Sequence, residues 1–244
     1  KFSKYDFEKI LEMREIVSQC KHAFTPSKLL SNDLSFLYSK RFKTLPHQFD
    51  EQIFKNINLK KTKSLDSKFK YIMYHGAIQH DRNLNLILDI FDELTKSSDG
   101  FDKIKFLVRA SGKGAEKLKL RHKDNKNILF YGLINTYASY IEQKNHSDLS
   151  IILETDGDYS NILGGKVPML VSLNANMYIL TSKESELKRL SCNSPEFFSE
   201  YKRDKIKQIL KKKILCVIYE KKDDNPLNYY FSNQHFKKTI NNFK

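Results

Sequence analysis

The stretch Tyr74-His75-Gly76-Ala77-Ile78-Gln79-His80-Asp81-Arg82-Asn83-Leu84 joins an apolar run to a segment of helical spacing. Its residue types suit a diphosphate. A glycine directly after a strand lets a ligand approach the backbone, and an arginine at the start of the next helix adds a fixed charge to that helix's positive end. Read for structure alone, Gly76 is a turn residue and Arg82 a solvated cation. A second loop, Arg109-Ala110-Ser111-Gly112-Lys113-Gly114, places GxG before a helical segment. It completes neither GxGxxG nor the Lys-Ser ending of a P-loop, so Arg109 and Gly112 are weaker phosphate candidates. A third loop opens at Glu154 and continues as Asp156-Gly157-Asp158. Read for structure alone, these two carboxylates are an acidic turn facing water. His75 borders the first loop, but the histidines form no metal-binding spacing, and a lone histidine is more often a hydrogen-bonded structural residue. No Ser-His-Asp or Cys-His arrangement can be assigned from the sequence.

Such loops need a scaffold that gathers them. KYIMYHG, KIKFLVR (103–109), NILFYG (127–132), LSIILE (149–154) and KVPMLVS (166–172) read as strands, and the segments between them as helices of about ten residues. Crossovers of that length imply a parallel sheet covered on both faces, a doubly wound, Rossmann-like α/β domain. Ligands bind at the carboxyl ends of such strands, which puts the chemistry in the loops after Tyr74, Val108, Tyr131, Leu153 and Val171. Upstream, 5–19 reads as a helix, 22–25 as a strand, 26–38 as a helix and 41–45 as a strand, a partial β-α-β unit. Residues 46–67 are poor in periodic apolar positions and read as a surface connection containing the domain boundary.

The order of these motifs resembles the nucleotide-binding half of a GT-B glycosyltransferase of the retaining, family-four type. The resemblance rests on YHGAIQHDRNL, FLVRASGKG, NILFYGLI and LSIILETDGDYSNILGGKVPMLV, and extends upstream through CKHAFTPSKLLSNDL and FKTLPHQFDEQIF, covering residues 15–182. It implies transfer of a sugar from a nucleotide-sugar donor to a saccharide or lipid-linked acceptor, as in bacterial surface-polysaccharide assembly, with no metal or other cofactor. Arg82 occupies the position of the family's diphosphate-binding lysine, and Ala77 or Ile78 that of its arginine. Glu154 matches the first of two family glutamates that touch the donor and is the catalytic candidate. Tyr159, Ser160 and Asn161 stand where the second belongs, and the amides of a helix start at 160–164 would receive a phosphate. The implied division is 1–50 as the end of an amino-terminal GT-B domain, 51–67 as the interdomain connection, 68–185 as the donor-binding domain and 186–244 as a helical, basic tail.

Composition bounds the alternatives. The 244 residues are 40% hydrophobic with 8 Gly and 5 Pro, which excludes a disordered or collagen-like chain. A formal charge of +14 favours polyanions. A basic nucleic-acid-binding module is one alternative, although no RNP, KH or helix-turn-helix pattern is present, and a GT-A-like, metal-dependent transferase using Asp156 and Asp158 is another. No apolar run approaches the roughly 18 residues of a membrane span, and the opening KFSKYDFEKI lacks the apolar region of a signal peptide. A cytoplasmic setting is expected. Cys20, Cys192 and Cys216 read as buried free thiols. With Lys1 rather than Met in first place, the chain is expected to be a piece of a longer protein. Residues 195–215 read as a basic amphipathic helix, with Phe198, Tyr201, Ile206, Ile209 and Leu210 on one side, suited to peripheral contact with an anionic membrane. Packing of that apolar side on its own domain is the competing reading. A last short helix is expected after Ser232.

Overall fold

The computed structural model describes residues 4–54, 65–78, 82–97, 100–221 and 224–243. Helix α1 (Lys4–Gln19) leads into β1 (Ala23–Thr25), α2 (Lys28–Tyr38) and β2 (Phe42–Thr44), and β1 and β2 pair in parallel as a separate two-stranded sheet. Ser27 caps α2 by accepting from the Leu30 amide, satisfying one donor that a helix start leaves free. Helix α1 buries Val17 but leaves Phe7 60% and Ile16 59% exposed. Of the connection at 51–67, residues 55–64 lie outside the described residues; the turn at Glu51–Phe54 is held by Phe54, whose ring lies 5.2 Å from that of Tyr140.

The second unit contains β3 (Lys70–His75), α3 (Leu84–Ser97), β4 (Ile104–Arg109), α4 (Lys113–Arg121), β5 (Ile128–Tyr131), α5 (Thr136–His146) and β6 (Leu149–Leu153). It continues through β7 (Tyr159–Ser160), α6 (Val167–Ser172), β8 (Met177–Thr181), β9 (Glu184–Ser185), α7 (Glu186–Leu190), β10 (Phe198–Glu200), α8 (Arg203–Ile218) and α9 (Asn233–Asn241). Six strands form one parallel sheet in the order β10-β8-β6-β3-β4-β5, while β7 and β9 pair apart. The chain runs outward from β3 through β4 to β5 and then returns to place β6 against the other side of β3. That reversal is a switch point, where the loops after β3 and β6 part and leave a crevice.

Both faces are covered, as the continuous apolar strands require. Side chains alternate across a strand, so Tyr178 and Leu180 of β8 enter the core with Phe91 of α3 and Leu210 of α8, while Met177 and Ile179 enter the opposite core with Met169 of α6 and Leu187 of α7.

Several expected features fall elsewhere. KVPMLVS is helix α6, with Pro168 in its first turn, and the strand expected there is MYILT at 177–181; the ligand-side loop therefore follows Thr181 and not Val171. No helix starts at 160–164, where β7 ends in extended chain. The helix expected from Pro195 begins at Arg203, because Phe198–Glu200 adds to the edge of the sheet. Consequently the expected division at residue 185 cuts through the sheet, and the segment after it supplies β10 and the helix covering α3. The apolar stripe of α8, including Ile206, Ile209 and Leu210, lies in the core, so it offers nothing for a membrane to bury. Cys20 and Cys192 are exposed and Cys216 half-buried, correcting the expectation of burial, because each sits on a helix face or loop turned outward.

Candidate functional site

At the switch point the end of β3, Arg82 and the segment 164–167 enclose a cavity of about 170 Å³. His75, Gly76, Ala77, Arg82, Gln143 and Lys166 are among its walls. Arg82 also faces a wider neighbouring cavity of about 730 Å³, lined by Asn83, Lys113, Gly114, Lys117 and Asp156. The three loops singled out in the sequence therefore meet around Arg82. Gly76 belongs here for a close-approach reason: a Cβ on it would sit 3.1 Å from the Tyr74 hydroxyl, which itself donates to the Ala77 carbonyl at 2.9 Å.

Among the described residues no carboxylate pairs with Arg82 or Lys166. Much of Lys166 is exposed, yet its ammonium turns inward and donates to the His75 carbonyl. Burial first, and the charge of Arg82 second, bring Lys166 down to about 8. Two neighbouring cations with no carboxylate paired to them among the described residues suit an anion.

Beneath this cavity lies a buried polar network. His75 and Arg109 are register partners at the ends of β3 and β4, and α5 lays Ser139 and Glu142 across them. Arg109 grips Glu142 with two nitrogens, Nε to Oε1 at 2.9 Å and Nη2 to Oε2, and its guanidinium lies 4.8 Å from the centre of the Tyr131 ring. His75 Nδ1 stands 2.8 Å from Ser139 Oγ and its Nε2 3.3 Å from Glu142 Oε1. Burial opposes ionisation of Glu142, but His75 and Arg109 outweigh it and bring the carboxyl down to about 2. Burial pushes His75 below the ordinary histidine range against the pull of Glu142. The network is thus Arg109 cation, Glu142 anion and neutral imidazole, a self-compensated floor under two uncompensated cations.

Other expected contacts are engaged elsewhere. Arg109 is spent on Glu142 and lines neither cavity, and Gly112 serves the chain by taking φ of 87° before α4, while the neighbouring Lys113 and Gly114 face the wider cavity. Glu154 is 6% exposed and lines neither cavity; neither carboxylate oxygen has a partner at full hydrogen-bond geometry. Burial pushes it up to about 7, against the nearby Ser185 hydroxyl and the Ser182 and Leu187 amides. Tyr159 and Asn161 turn to the first unit, donating to Asp33 Oδ2 at 2.7 and 2.6 Å, and the Asn161 carbonyl accepts from Ser27 Oγ at 2.6 Å. Ser160 is buried in β7. Tyr159 and Asn161 thus join the two units, and Ser160 pairs with Ser185 of β9. Asp158 pairs with Lys183 at 2.7 Å and Asp156 accepts from Asn83 at 3.2 Å, and among the described residues no group of three metal-ligating side chains forms.

The sequence reading missed Lys166, whose signal was a cation directly after Gly164-Gly165. It also missed the His75, Ser139 and Glu142 network, which local spacing does not reveal.

No family model matches the chain, and no curated protein matches it. Its six-stranded parallel architecture is nonetheless the GT-B fold of glycosyltransferases. A point mutant of S. aureus TarM, solved with fondaparinux, alpha-GlcNAc-glycerol and UDP, is 11% identical, with a TM-score of 0.61 over 96% of this chain and 46% of that one. S. aureus MnaA, solved with UDP, is 15% identical, with a TM-score of 0.58 over 99% and 64%. The GtfA/B complex gives 10% identity and 0.54 over 95% and 44%. This chain spans less than half the length of TarM. With the GT-B fold in place, the GT-A reading of Asp156 and Asp158 falls.

Proposed function

We propose that this chain is the donor-binding half of a glycosyltransferase that takes its sugar from a nucleotide diphosphate. One observation carries the reading: Arg82 and Lys166, both without a carboxylate partner among the described residues, meet beside Gly76 at the switch point of the sheet. The UDP held by TarM and MnaA makes UDP the first nucleotide to test. Transfer with retention to a saccharide or lipid-linked acceptor, at the cytoplasmic face of a membrane, is the activity the sequence resemblance suggests. The exposed apolar residues of α1 and the two-stranded sheet of β1 and β2 support a first unit that continues into a fuller domain. The acceptor would then lie largely on that domain, and these residues would bind donor better than they turn it over.

Calorimetric titration with UDP and a panel of nucleotide sugars tests the reading. Arg82→Ala removes a charge-assisted contact of about 1.5–3 kcal/mol, so affinity should fall roughly ten- to a hundredfold. Unchanged affinity overturns the assignment.

A further inference from the structure

The Lys166 ammonium is held by a neutral carbonyl, that of His75, although an ammonium has three hydrogens to give and Arg82 stands beside it with like charge. Among the described residues, the groups facing it from the surrounding elements do not neutralise it. His75 and Tyr74 on β3 are uncharged, Arg109 on β4 is matched by Glu142 on α5, and Arg82 adds a second positive charge. Lys166 is exposed along part of its length while its ammonium lies against the His75 carbonyl. A lysine carries its charge on four flexible carbons, so a modest rotation moves the ammonium several ångströms.

We propose that Lys166 is a two-position cation of this cavity, held on the His75 carbonyl in the structure described here and turned onto the phosphate oxygens of a bound nucleoside diphosphate. The inference rests on the donor-binding reading and adds a residue and a response to it. Burial and Arg82 hold Lys166 down to about 8, whereas a phosphate dianion beside it raises its pKa in the complex. Binding therefore draws a proton from the buffer onto the amine. The sign follows: affinity is complete below the free value and is lost as pH rises from there toward the value in the complex. The phosphates, with a second pKa of about 6, are already ionised in that window.

The test is calorimetry of the whole chain with UDP at pH 8 in two buffers of different ionisation enthalpy, repeated from pH 7 to 8.5. The wild type should take up about half a proton at pH 8 and lose affinity roughly fourfold between the two limits. Lys166→Met should bind about tenfold more weakly, with no uptake and a flat profile. Lys166→Arg should restore the affinity and stay flat, because its charge does not titrate; this rescue separates a ligand contact from a folding defect. Absence of uptake in the wild type, or undiminished affinity in Lys166→Met, overturns the proposal. Inorganic pyrophosphate is titrated in parallel. Because pyrophosphate itself titrates in this range, its arm is read as the difference between wild type and Lys166→Met: an uptake present only in the wild type, with no binding of UDP, supports the role of Lys166 and removes the nucleotide, and binding of neither overturns both readings.

Discussion

Glu142 and Glu154 are both buried carboxyls, and the sheet treats them in opposite ways. Glu142 lies under Arg109 and His75 and keeps its charge, whereas Glu154 has a single hydroxyl and two amides nearby and favours its neutral form. A carboxyl whose folded pKa is raised stays neutral without penalty below its unfolded value, and destabilises the fold as pH climbs through the window between the two. For Glu154 that window runs from 4.5 to about 7. Glu154→Gln should therefore melt like the wild type at pH 4.5 and be more stable at pH 8, by on the order of 2–3 kcal/mol. Thermal unfolding at the two pH values checks this; equal stability at pH 8 would show that Glu154 is solvated or paired. In this structure Glu154 lies on the seam between β6 and the segment 182–187 and lines neither cavity.

At the scale of elements, α3 shows how a helix is fixed by its stripe. Leu84, Ile87, Leu88, Phe91 and Leu94 recur at three- and four-residue steps, and all are buried against the sheet and α8. Phe91 has no exposed surface and meets the Phe106 ring edge-on at 5.4 Å. Phe91→Ala should cost about 3–5 kcal/mol by urea unfolding, with little change in the slope of the transition. Elements with such plain signals were legible: β3 to β6 are apolar runs ended by polar or glycine turns, and Ser27, Asn135 and Ser232 cap the helices that follow them. KVPMLVS misled because a short apolar run is strand or helix by periodicity alone. Its proline was the deciding residue, since proline is unwelcome inside a buried strand and well placed in a helix's first turn. Gly76 and Arg82 were legible because one loop holds both. Lys166 reaches a carbonyl 91 positions away and His75 a hydroxyl 64 positions away, and nothing local announces either contact.

Across the whole molecule, the charge of α8 faces away from the core that holds its apolar side, except at Lys213, which is buried over the Phe197 ring. Arg203 and Lys207 share Glu93, and Lys202 pairs with Glu200, while Lys205, Lys211 and Lys212 are exposed. Any hold on an anionic surface is then electrostatic alone, at about 1 kcal/mol for each basic residue near it. Vesicle flotation should show retention on anionic and not neutral vesicles, abolished by 0.5 M salt or so and by changing these three lysines to Glu. Identical flotation of the two proteins would leave the lysines a purely solvating role.

The late position of β10 and α8 has a consequence for how the chain comes to be folded during synthesis. The face of the sheet that receives Phe91 is closed by Leu210 and Ile214, which are made more than a hundred residues after it. Until they emerge, α3 offers a bare apolar surface to chaperones and to other nascent chains. Folding of this sheet is thereby tied to the synthesis of α8, and a ribosome stalled before residue 203 would present a sticky intermediate in place of a smaller folded domain.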